Sequence, residues 1–536
     1  MDRQFVELAG SGRQRKRAAE RIGDVDPGAS VAVTLTLRGP ELSELDASGP
    51  AMSRAELESA YGADPKDIAL VSDTLEGLGL TVEATSRVGR SVRARGTAAQ
   101  MEHAFRAGLG MYRSSEGHEF RGREEYLQVP AQLDGVVTGV FGLDQRQVAH
   151  RGIGGLADAR GEAVQAAPLG PADLEGRYSF PESSGKGQRI AIAEFGGTYF
   201  PDDLAKFCAL HGLSVPSVEI VDAGMRPVDP ADIDTLTPEE RREVLDASGE
   251  VMMDIEIVAG LCPDAEILVY FAPFDERGWI DLLNEVIAAE PAARVLSVSW
   301  GLAEDSPEWS RAAIEEIEAR LQAAAQTGMT VCVASGDDGS GDQVEDGKAH
   351  VNFPASSPSV LSVGGTMLDG KDSEVVWWQS PGERKERGGA TGGGVSVLFG
   401  RPPWQDVKVA SLNEGSIDGR VVPDITALAG PPYYDLVVLG ERQASGGTSA
   451  ATPLWAALLA RMLAAGKPAQ PVFFAPLLYQ RLASGEARGQ ATCTDITAGD
   501  NTSSPSPDVG YRAGPGYDAV SGWGAPVGRQ LLSSLS

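Results

Sequence analysis

The sequence predicts two structural units, and the larger one is an α/β domain built on a parallel β-sheet. Beyond residue 189, short apolar runs alternate with helical stretches, a pattern typical of buried parallel strands with helices on both faces of the sheet. Before residue 150, strand-like and helix-like segments follow one another in a mixed order, which is typical of a compact α+β unit. The length of 536 residues also favours more than one hydrophobic core.

The N-terminal unit is predicted from alternating and amphipathic segments, with Asp64 as the N-cap of its second helix. From residue 151 the chain becomes rich in Gly, Ala and Pro, which is typical of an exposed linker. We therefore divide the chain into residues 1–150, a linker at 151–165 and a second domain at 166–536. Within the N-terminal unit, strand patterns cover residues 31–38, 81–95 and 126–129, and helical patterns cover residues 53–61, 65–78, 97–109 and 131–142.

The second domain is predicted from four apolar strands that are separated by helices. In such a sheet, ligand chemistry is expected at the carboxyl ends of the strands. The tail from about residue 490 is rich in Gly, Pro, Asp and Ser and is predicted to form loops. The strands cover residues 190–195, 266–271, 295–300 and 330–335, and the helices cover residues 201–211, 250–261, 279–289 and 309–326.

The acidic composition excludes several classes of partner. The net charge is −30 and the isoelectric point is about 4.6, so neither a nucleic acid nor an anionic membrane surface is expected to bind. No uncharged apolar stretch reaches membrane-spanning length. The N-terminus carries a basic cluster without an apolar segment behind it, so no ordinary secretory signal is predicted.

The strongest local motif is SGGTSAATP at residues 445–453, which precedes the apolar helical sequence LWAALLARML. Its small residues place Ser449 at the start of the helix, where free N–H groups and the helix dipole favour negative charge. This position suits an attacking hydroxyl whose product is an oxyanion. Pro453 is expected in the first turn, where N–H groups need no helical partner. The alternative is an ordinary Ser/Thr N-cap on a core helix.

A serine nucleophile needs a base, and none of the five histidines has a distinctive catalytic setting, so a Ser-His-Asp triad is poorly supported. Carboxylates are better candidates. Glu250 and Asp254 lie one turn apart on a predicted helix that is apolar over most of its circumference. Burying both carboxyls together forces one of them to keep a proton. The alternative is a solvated acidic face at the start of the helix.

A third acid, Asp337, follows a predicted buried strand in the sequence ASGDDG at residues 334–339. An acid at this place points into the crevice at the strand ends. A protonated Asp there can donate a hydrogen bond to a developing oxyanion. The alternative is an Asp-Gly turn, which Asp338 and Gly339 alone would satisfy.

The C-terminal tail carries two carboxylates beside glycines, Asp495 in TDITAG and Asp518 in GPGYD. Carboxylates and loop carbonyls suit a hard cation with oxygen ligands, such as Ca²⁺, although the spacing is not that of an EF-hand. Turn-capping aspartates are the alternative interpretation.

Taken in order, these motifs resemble those of the sedolisin family of serine-carboxyl peptidases, and in particular its kumamolisin-like members. GEVMMDIEIVAG is similar to the family's Glu/Asp helix, ASGDDG to its oxyanion loop and SGGTSAATP to its nucleophile motif. VNFPASSPSVLSVGGT, TGGGVS and AGPGYD also occur in the family's order, so the resemblance covers nearly the whole chain. It implies a subtilisin-like catalytic domain that is preceded by a ferredoxin-like inhibitory prodomain.

The resemblance also implies roles for individual residues. Ser449 would be the nucleophile, Glu250 the general base, Asp254 the residue that orients it, and Asp337 a member of the oxyanion hole. The acid network of kumamolisin-like members would be extended here by Glu194 and Trp300. One structural Ca²⁺ would be held by the carboxylates of Asp495 and Asp518 and the carbonyls of Ile496, Gly514 and Gly516.

Two positions depart from the family pattern. Asp338 stands where relatives usually have Ser, and Asn352 stands where kumamolisin-like members have an acid near the substrate subsites. Both departures leave the catalytic motifs complete, but they put the side-chain preference for peptide substrates in doubt.

The implied activity is that of an acid-active endopeptidase that cleaves proteins and peptides through an acyl-enzyme. The resemblance implies a secreted monomer, made as a zymogen that its own prodomain inhibits and that processes itself near Gln165, within Ala163–Pro168. The alternatives are a tripeptidyl exopeptidase of the same family, a catalytically inactive peptide-binding homologue and a His-dependent subtilase.

Overall fold

The computed structural model contains an N-terminal and a larger C-terminal domain, each with a hydrophobic core. Residues 152–166, which hold most of the predicted linker and the processing position near Gln165, lie outside the described residues. The structure describes residues 4–14, 19–42, 50–115, 117–148, 150–151, 167–344, 346–370, 372–379, 389–504 and 506–535.

The N-terminal domain is an α+β unit, as predicted. Its strands are β1 (Phe5–Glu7), β2 (Glu20–Asp24), β3 (Ser30–Leu37), β4 (Thr81–Ser86), β5 (Ser91–Thr97), β6 (Gly110–Arg113), β7 (Glu119–Gly122), β8 (Gln128–Pro130) and β9 (Val137–Phe141). Its helices are α1 (Arg54–Tyr61), α2 (Pro65–Glu76) and α3 (Ala98–Phe105). The central sheet is antiparallel, with the strand order β4-β5-β3-β9.

Local sequence signals account for most of this domain. Asp64 caps α2 by accepting a hydrogen bond from the backbone N–H of Lys66, as predicted. The helix predicted at 131–142 is wrong, because only a short 3-10 turn at Ala131–Leu133 precedes strand β9. The valines of this segment are β-branched and favour a strand, and β9 pairs with β3 at the edge of the sheet.

The C-terminal domain contains the predicted parallel sheet. The strands of this half are β10 (His150–Arg151), β11 (Arg189–Glu194), β12 (Ser217–Asp222), β13 (Glu266–Phe271), β14 (Val295–Val298), β15 (Trp300–Ala303), β16 (Thr330–Ala334), β17 (Asn352–Phe353), β18 (Leu361–Leu368), β19 (Glu374–Val376), β20 (Gly394–Gly400), β21 (Gly419–Val422), β22 (Ile425–Leu428), β23 (Tyr434–Val438), β24 (Glu441–Ser445), β25 (Cys493–Thr494) and β26 (Ala525–Pro526). The main sheet runs β12-β13-β11-β14-β16-β18-β22 in parallel, and β19 adds to β18 in the antiparallel sense. This arrangement confirms the predicted fold class.

Helices cover both faces of this sheet. They are α4 (Pro171–Arg177), α5 (Pro201–His211), α6 (Pro238–Leu261), α7 (Glu276–Ala288), α8 (Arg311–Gln326), α9 (Thr448–Ala464), α10 (Ala475–Tyr479), α11 (Arg488–Thr492) and α12 (Gly528–Ser534). Helices α5, α6 and α9 pack on one side, and α7 and α8 pack against each other on the other side. Within the described residues, no helix is long and apolar enough to cross a membrane.

Three boundaries differ from the predictions. Helix α6 begins twelve residues before Glu250, at a capping box formed by Thr237 and Glu240, because its first half is polar and lies at the surface. The run at 295–300 divides at Ser299 into the end of β14 and the start of β15. The tail is not all loops, because α12 docks its Leu531 in the core.

The two domains meet across an interface that combines apolar packing with ion pairs. Buried apolar side chains of the N-terminal domain share one hydrophobic cluster with residues of α7 and α8. The N-terminal sheet packs through β3 and β9 on helices α7 and α8. Arginines of the N-terminal domain pair there with acids of the other domain: Arg13 with Glu276 at 2.7 Å, Arg54 with Glu290 at 3.3 Å, and Arg93 with Glu285 at 3.0 Å and Asp281 at 3.3 Å.

The chain that leaves the N-terminal domain adds a strand to the C-terminal domain. Strand β10 pairs with β15 in the antiparallel sense, with His150 opposite Gly301 and Arg151 opposite Trp300. The other edge of β15 pairs with β17. The chain itself therefore covers the edge of β15 next to Ser299.

Candidate active site

Three carboxyls come together at the carboxyl end of the parallel sheet. Glu194 is the last residue of β11, and Glu250 and Asp254 lie one turn apart on α6, as their spacing predicted. All three are completely buried, so the alternative of a solvated acidic face does not apply. Trp300 at the start of β15 donates a hydrogen bond from its indole N–H to Glu194 Oε2 at 3.2 Å.

Burial and mutual repulsion shift the acidity of this cluster. Loss of hydration, together with the negative charge of Glu250, holds the pKa of Asp254 well above its usual range. Burial and the charges of Asp254 and Glu250 also hold the pKa of Glu194 well above its usual range. The cluster therefore shares protons at pH values where an exposed carboxyl is ionised.

Ser449 lies in the first turn of α9, as predicted, and is completely buried. The turn before it needs glycine: a Cβ on Gly446 would lie 2.1 Å from the carbonyl oxygen of Ala429, and Gly447 has a φ of +102°. The Ser449 hydroxyl donates a hydrogen bond to the carbonyl of Ser299 at 3.2 Å. The start of α9 is thereby held against the end of β14.

Ser299 connects the acid cluster to the nucleophile candidate, and the sequence analysis missed it. Its Oγ lies 2.7 Å from Asp254 Oδ2 and 3.2 Å from the carbonyl oxygen of Ser449, both within hydrogen-bond distance. The sequence offered only a weak signal, since Ser299 precedes Trp300 where a buried strand ends. Its role depends on a contact 150 residues away.

The position of Pro453 corrects the prediction for this residue. Pro453 is the sixth residue of α9 rather than part of its first turn. Because proline has no N–H, the carbonyl of Ser449 four residues earlier lacks its helical donor. That carbonyl accepts the hydrogen bond of Ser299 instead.

Asp337 lies beside the same helix start. It follows β16 through Ser335 and Gly336 and is buried. Its Oδ1 accepts hydrogen bonds from the backbone N–H of Thr448 at 2.8 Å and from the Thr448 hydroxyl at 2.6 Å. Asp337 therefore sits next to the N-terminus of α9, where an oxyanion would be stabilised.

A glycine-rich segment packs directly against the Asp337 turn and was also missed as part of the site. Gly392 donates a hydrogen bond to the Gly336 carbonyl at 2.7 Å, and a Cβ on Gly392 would lie 2.0 Å from the Ser335 carbonyl oxygen. A Cβ on Gly389 would lie 2.0 Å from the Asp337 carbonyl oxygen. The TGGGVS motif therefore allows a close backbone approach that shapes this turn.

Comparisons with known proteins agree with this arrangement. The model "Pro-kumamolisin, activation domain" matches residues 17–146, and the model "Subtilase family" matches residues 245–492. Kumamolisin of Bacillus sp. (strain MN-32) is 35% identical over 98% of this chain and 96% of its own. The chain belongs to the sedolisin family. It is a serine-type peptidase of the serine-carboxyl class with an activation domain, as the motifs predicted.

Two further similarities support the family and its fold. The tripeptidyl-peptidase sed5 of Aspergillus fumigatus is 28% identical over 98% of this peptidase and 97% of its own chain. Pseudomonas sedolisin, solved with two molecules of pseudo-iodotyrostatin, superposes with a TM-score of 0.56 at 25% identity, covering 69% of this chain and 98% of that chain. The predicted subtilisin-like architecture and the family resemblance are therefore confirmed.

The two residues that depart from the family pattern, Asp338 and Asn352, are both buried. Asp338 is buried and accepts a hydrogen bond from Gln343 Nε2 at 3.0 Å. Asn352 Nδ2 donates to Asp342 at 3.1 Å, and a Cβ on Gly301 would lie 1.7 Å from Asn352 Oδ1. Asn352, in β17, therefore packs directly against its neighbouring strand β15.

His350 and His211 of the peptidase domain pair with acids other than those of the carboxyl cluster. His350 lies between Asp305 at 2.8 Å and Asp346 at 2.9 Å, which raises its pKa to about 9. His211 contacts Asp435 at 3.5 Å. These placements favour the carboxyl cluster over a His-dependent subtilase.

The two carboxylates of the predicted cation site accept hydrogen bonds from the backbone of the C-terminal loops. The backbone N–H of Gly516 donates to Asp495 Oδ2 at 2.8 Å, and that of Gly514 donates to Asp518 Oδ2 at 3.0 Å. Burial raises the pKa of Asp518. The Ile496 carbonyl lies 3.5 Å from Ser521 Oγ, and this hydroxyl also contacts Asp518. The carboxylates of Asp495 and Asp518 and the Ile496 carbonyl are oxygen donors of the type that a hard cation prefers.

Proposed function

We propose that this peptidase is an acid-active endopeptidase in which Ser449 is the nucleophile and Glu250 is the general base. The observation that carries the proposal is the connection of the buried carboxyl cluster to the Ser449 backbone through Ser299. Asp254 orients Glu250 and keeps a proton, and Asp337 supplies a donor to the oxyanion. Glu194 and Trp300 support Asp254 and Glu250 from the adjacent strands.

The proposed reaction begins with Ser449 as the nucleophile. Ser449 Oγ forms a bond to the carbonyl carbon of the scissile peptide, while its proton passes to the Glu250 carboxylate. The carbonyl electron pair moves to the oxygen, which accepts hydrogen bonds from protonated Asp337 and from the start of α9. When the C–N bond breaks, Glu250 gives its proton to the leaving amine. Water then gives a proton to Glu250 and attacks the acyl carbonyl carbon. The bond to Ser449 Oγ breaks, and Glu250 returns the proton to Ser449.

We infer endopeptidase action from the edge of β15. The chain's own strand β10 lies along this edge, and the residues before it continue into the N-terminal domain. A cleft that admits a continuing chain at this end suits internal cleavage of long substrates. A tripeptidyl-peptidase needs a boundary after three residues, and the name of the Aspergillus fumigatus relative keeps that alternative open.

We propose that acid releases the prodomain. Its arginines Arg13 and Arg93 pair with Glu276, Asp281 and Glu285 across the interface, and protonation of these carboxyls removes the attraction. The prodomain would thus inhibit near neutral pH and leave the cleft as the pH falls. Processing near Gln165 would then yield the mature chain, which we expect to be a secreted monomer.

We propose one structural Ca²⁺ in the C-terminal loops. Asp495 and Asp518 would hold it with the carbonyls of Ile496, Gly514 and Gly516. The ion would neutralise the buried Asp518 carboxylate and connect the loop of residues 514–518 to residue 495. It has no part in the chemical step.

The deciding experiment compares Glu250→Gln, Ser449→Ala and the parent chain on a quenched peptide and on a long protein substrate. We expect both variants to lose at least a thousandfold in kcat while their circular dichroism and melting temperatures match the parent. Products that begin at internal bonds support the endopeptidase assignment, whereas release of tripeptides alone would contradict it. Activity that survives in Glu250→Gln would refute the carboxyl-base mechanism.

A further inference from the structure

A fourth buried acid lies on helix α6 and takes no part in the proposed chemistry. Glu256 is completely buried and follows Asp254 by two residues. A step of two residues turns it about 200° around the helix, so it points away from the active-site cluster. It faces helix α5 and strand β23 instead.

Its surroundings disfavour a negative charge. One oxygen, Oε2, accepts a hydrogen bond from the backbone N–H of Val437 at 2.8 Å. The other, Oε1, is buried without a hydrogen-bond partner among the described residues. The titratable groups that face Glu256 are Asp203 and Cys208 on α5 and Asp435 on β23.

The nearby cationic side chains pair with Asp435 and Asp203 rather than with Glu256. Arg442 pairs with Asp435 at 2.6 Å, His211 lies 3.5 Å from Asp435, and Lys206 acts on Asp203. Burial and the two aspartates raise the pKa of Glu256 to about 9. Its carboxyl therefore keeps its proton throughout the acidic and neutral range.

The hydrogen bond between Glu256 and Val437 connects two segments whose relative position matters for the proposed mechanism. Helix α6 carries Glu250 and Asp254. Strand β23 forms a hairpin with β24, and β24 ends at Ser445, four residues before Ser449. Glu256 is thus hydrogen-bonded to the hairpin that leads into the nucleophile turn.

We propose that Glu256 is a positioning residue, a buried carboxyl whose hydrogen bond to Val437 holds the helix of the catalytic acids against the hairpin that leads to Ser449. Its effect on the reaction rests on the proposed roles of Glu250 and Ser449, but its protonation does not. In the unfolded chain a Glu ionises near pH 4.3, whereas folded Glu256 keeps its proton. Its contribution to stability is therefore complete below about pH 4 and is lost progressively as the pH rises through about 9.

The first test measures the melting temperature of the full chain carrying Ser449→Ala, with and without Glu256→Gln, from pH 5 to pH 8. Glutamine keeps the acceptor for Val437 but has no proton to lose. We expect the melting temperature of Glu256→Gln, relative to that of the parent, to increase by about 2 °C for each unit by which the pH rises. Glu441→Gln, at an exposed acid of the same hairpin, should give a constant difference. A Glu256→Gln difference that does not grow with pH would overturn the proposal.

The second test measures kcat and KM of the active chain at its acidic optimum. Glu256→Leu leaves the Val437 N–H without an acceptor, and we expect kcat to fall about tenfold with KM within twofold. Glu256→Gln should restore kcat to within about twofold of the parent. Parental kcat in Glu256→Leu would overturn the positioning role. If Glu256→Leu does not fold, Glu256→Asp, whose carboxyl is one methylene short, takes its place.

These tests also separate this inference from the proposed function. If Ser449→Ala kept its activity, the nucleophile assignment would fail, yet the pH-dependent melting difference at Glu256 would remain. If the melting difference were absent while Ser449→Ala was inactive, only the inference about Glu256 would fail.

Discussion

The Ser299 hydroxyl lies 2.7 Å from Asp254 Oδ2 and also within hydrogen-bond distance of a carbonyl, that of Ser449 at 3.2 Å. A hydroxyl has one proton, and a carbonyl can only accept. Both contacts are hydrogen bonds at once only if Asp254 is protonated and donates to Ser299. This count agrees with the raised pKa of Asp254. It is consistent with the proposed mechanism, in which Glu250 is the base of the α6 pair.

Removing the Ser299 hydroxyl should slow the reaction. Ser299→Ala leaves the Ser449 carbonyl and Asp254 without their shared partner, and a lost buried hydrogen bond costs about 1–3 kcal/mol. We expect kcat to fall about tenfold to a hundredfold. The control is Ser297→Ala, two residues earlier in β14, since the buried Ser297 hydroxyl has no hydrogen-bond partner among the described residues. Equal kcat values for the two variants would refute the role of Ser299.

The activity should peak in acid. Asp254 and Glu194 have raised pKa values, so they are protonated in the working state and lose their protons as the pH rises. Glu250 must be ionised, which limits activity at low pH. The working state therefore needs Glu250 to ionise while Asp254 and Glu194 keep their protons, and the optimum should lie below neutral pH. The measurement is a pH–rate profile on a substrate without titratable side chains, and a maximum above neutrality would contradict this mechanism.

Sequence periodicity and motif order account for the parallel sheet and the main catalytic candidates. Glu250 and Asp254 could be placed on one buried helix face because helical spacing is a local property. Asp337 could be placed at a strand end because the apolar run before it is also a local signal. The start of α6 was missed because its polar first half lacks the apolar pattern that marked residues 250–261.

Non-local contacts explain what the sequence did not predict. Ser299 acquires its role only when β14 is brought beside α9, and Gly392 only when its segment passes over the Asp337 turn. Residues 131–142 were predicted to form a helix, but residues 137–141 form strand β9 because they pair with β3. Pairing between distant segments decides such cases.

The close packing at Gly392 predicts a strong effect of a single methyl group. In Gly392→Ala the new Cβ would meet the Ser335 carbonyl oxygen at 2.0 Å. The oxygen is a main-chain atom and the Cβ position is fixed by the main chain, so neither can move aside by a side-chain rotation. The Asp337 turn must shift, and we expect kcat to fall at least tenfold. Gly400→Ala is the control, because nothing lies within 4 Å of its Cβ position on the same segment. Parental kinetics for Gly392→Ala would show that the turn tolerates displacement.

Chelation should destabilise the C-terminal loops. A ligand that binds only the folded chain stabilises it by about 3–4 kcal/mol at a hundred to a thousand times its dissociation constant. A chelator should therefore lower the melting temperature and expose the tail to proteolysis, and Asp518→Ala should have the same effect without further response to the chelator. The dependence should weaken as the pH falls, since carboxylate ligands then become protonated. An unchanged melting temperature in both cases would show that the site is misassigned.

The interface arginines should set the pH at which the zymogen is activated. Arg93 contacts Asp281 at 3.3 Å and Glu285 at 3.0 Å across the domain boundary, and Thr34 also donates to Asp281 at 2.8 Å. Asp281 is buried, and Arg277 of its own helix lies 3.8 Å from its second carboxylate oxygen. Arg93→Ala removes the positive charge that pairs with Asp281 and Glu285, and this weakens the binding of the prodomain to the peptidase domain at any pH.

We therefore expect Arg93→Ala to process itself at a higher pH than the parent, by about half a unit to one unit, because a smaller degree of protonation is then enough to release the prodomain. The measurement is the fraction of cleaved chain after a fixed time at each pH, with N-terminal sequencing of the product. Arg21→Ala is the matched control, since Arg21 pairs at 2.6 Å with Asp24 inside the prodomain. Ser449→Ala should stay intact at every pH. Processing of Arg93→Ala at the parental pH would mean that other contacts govern release.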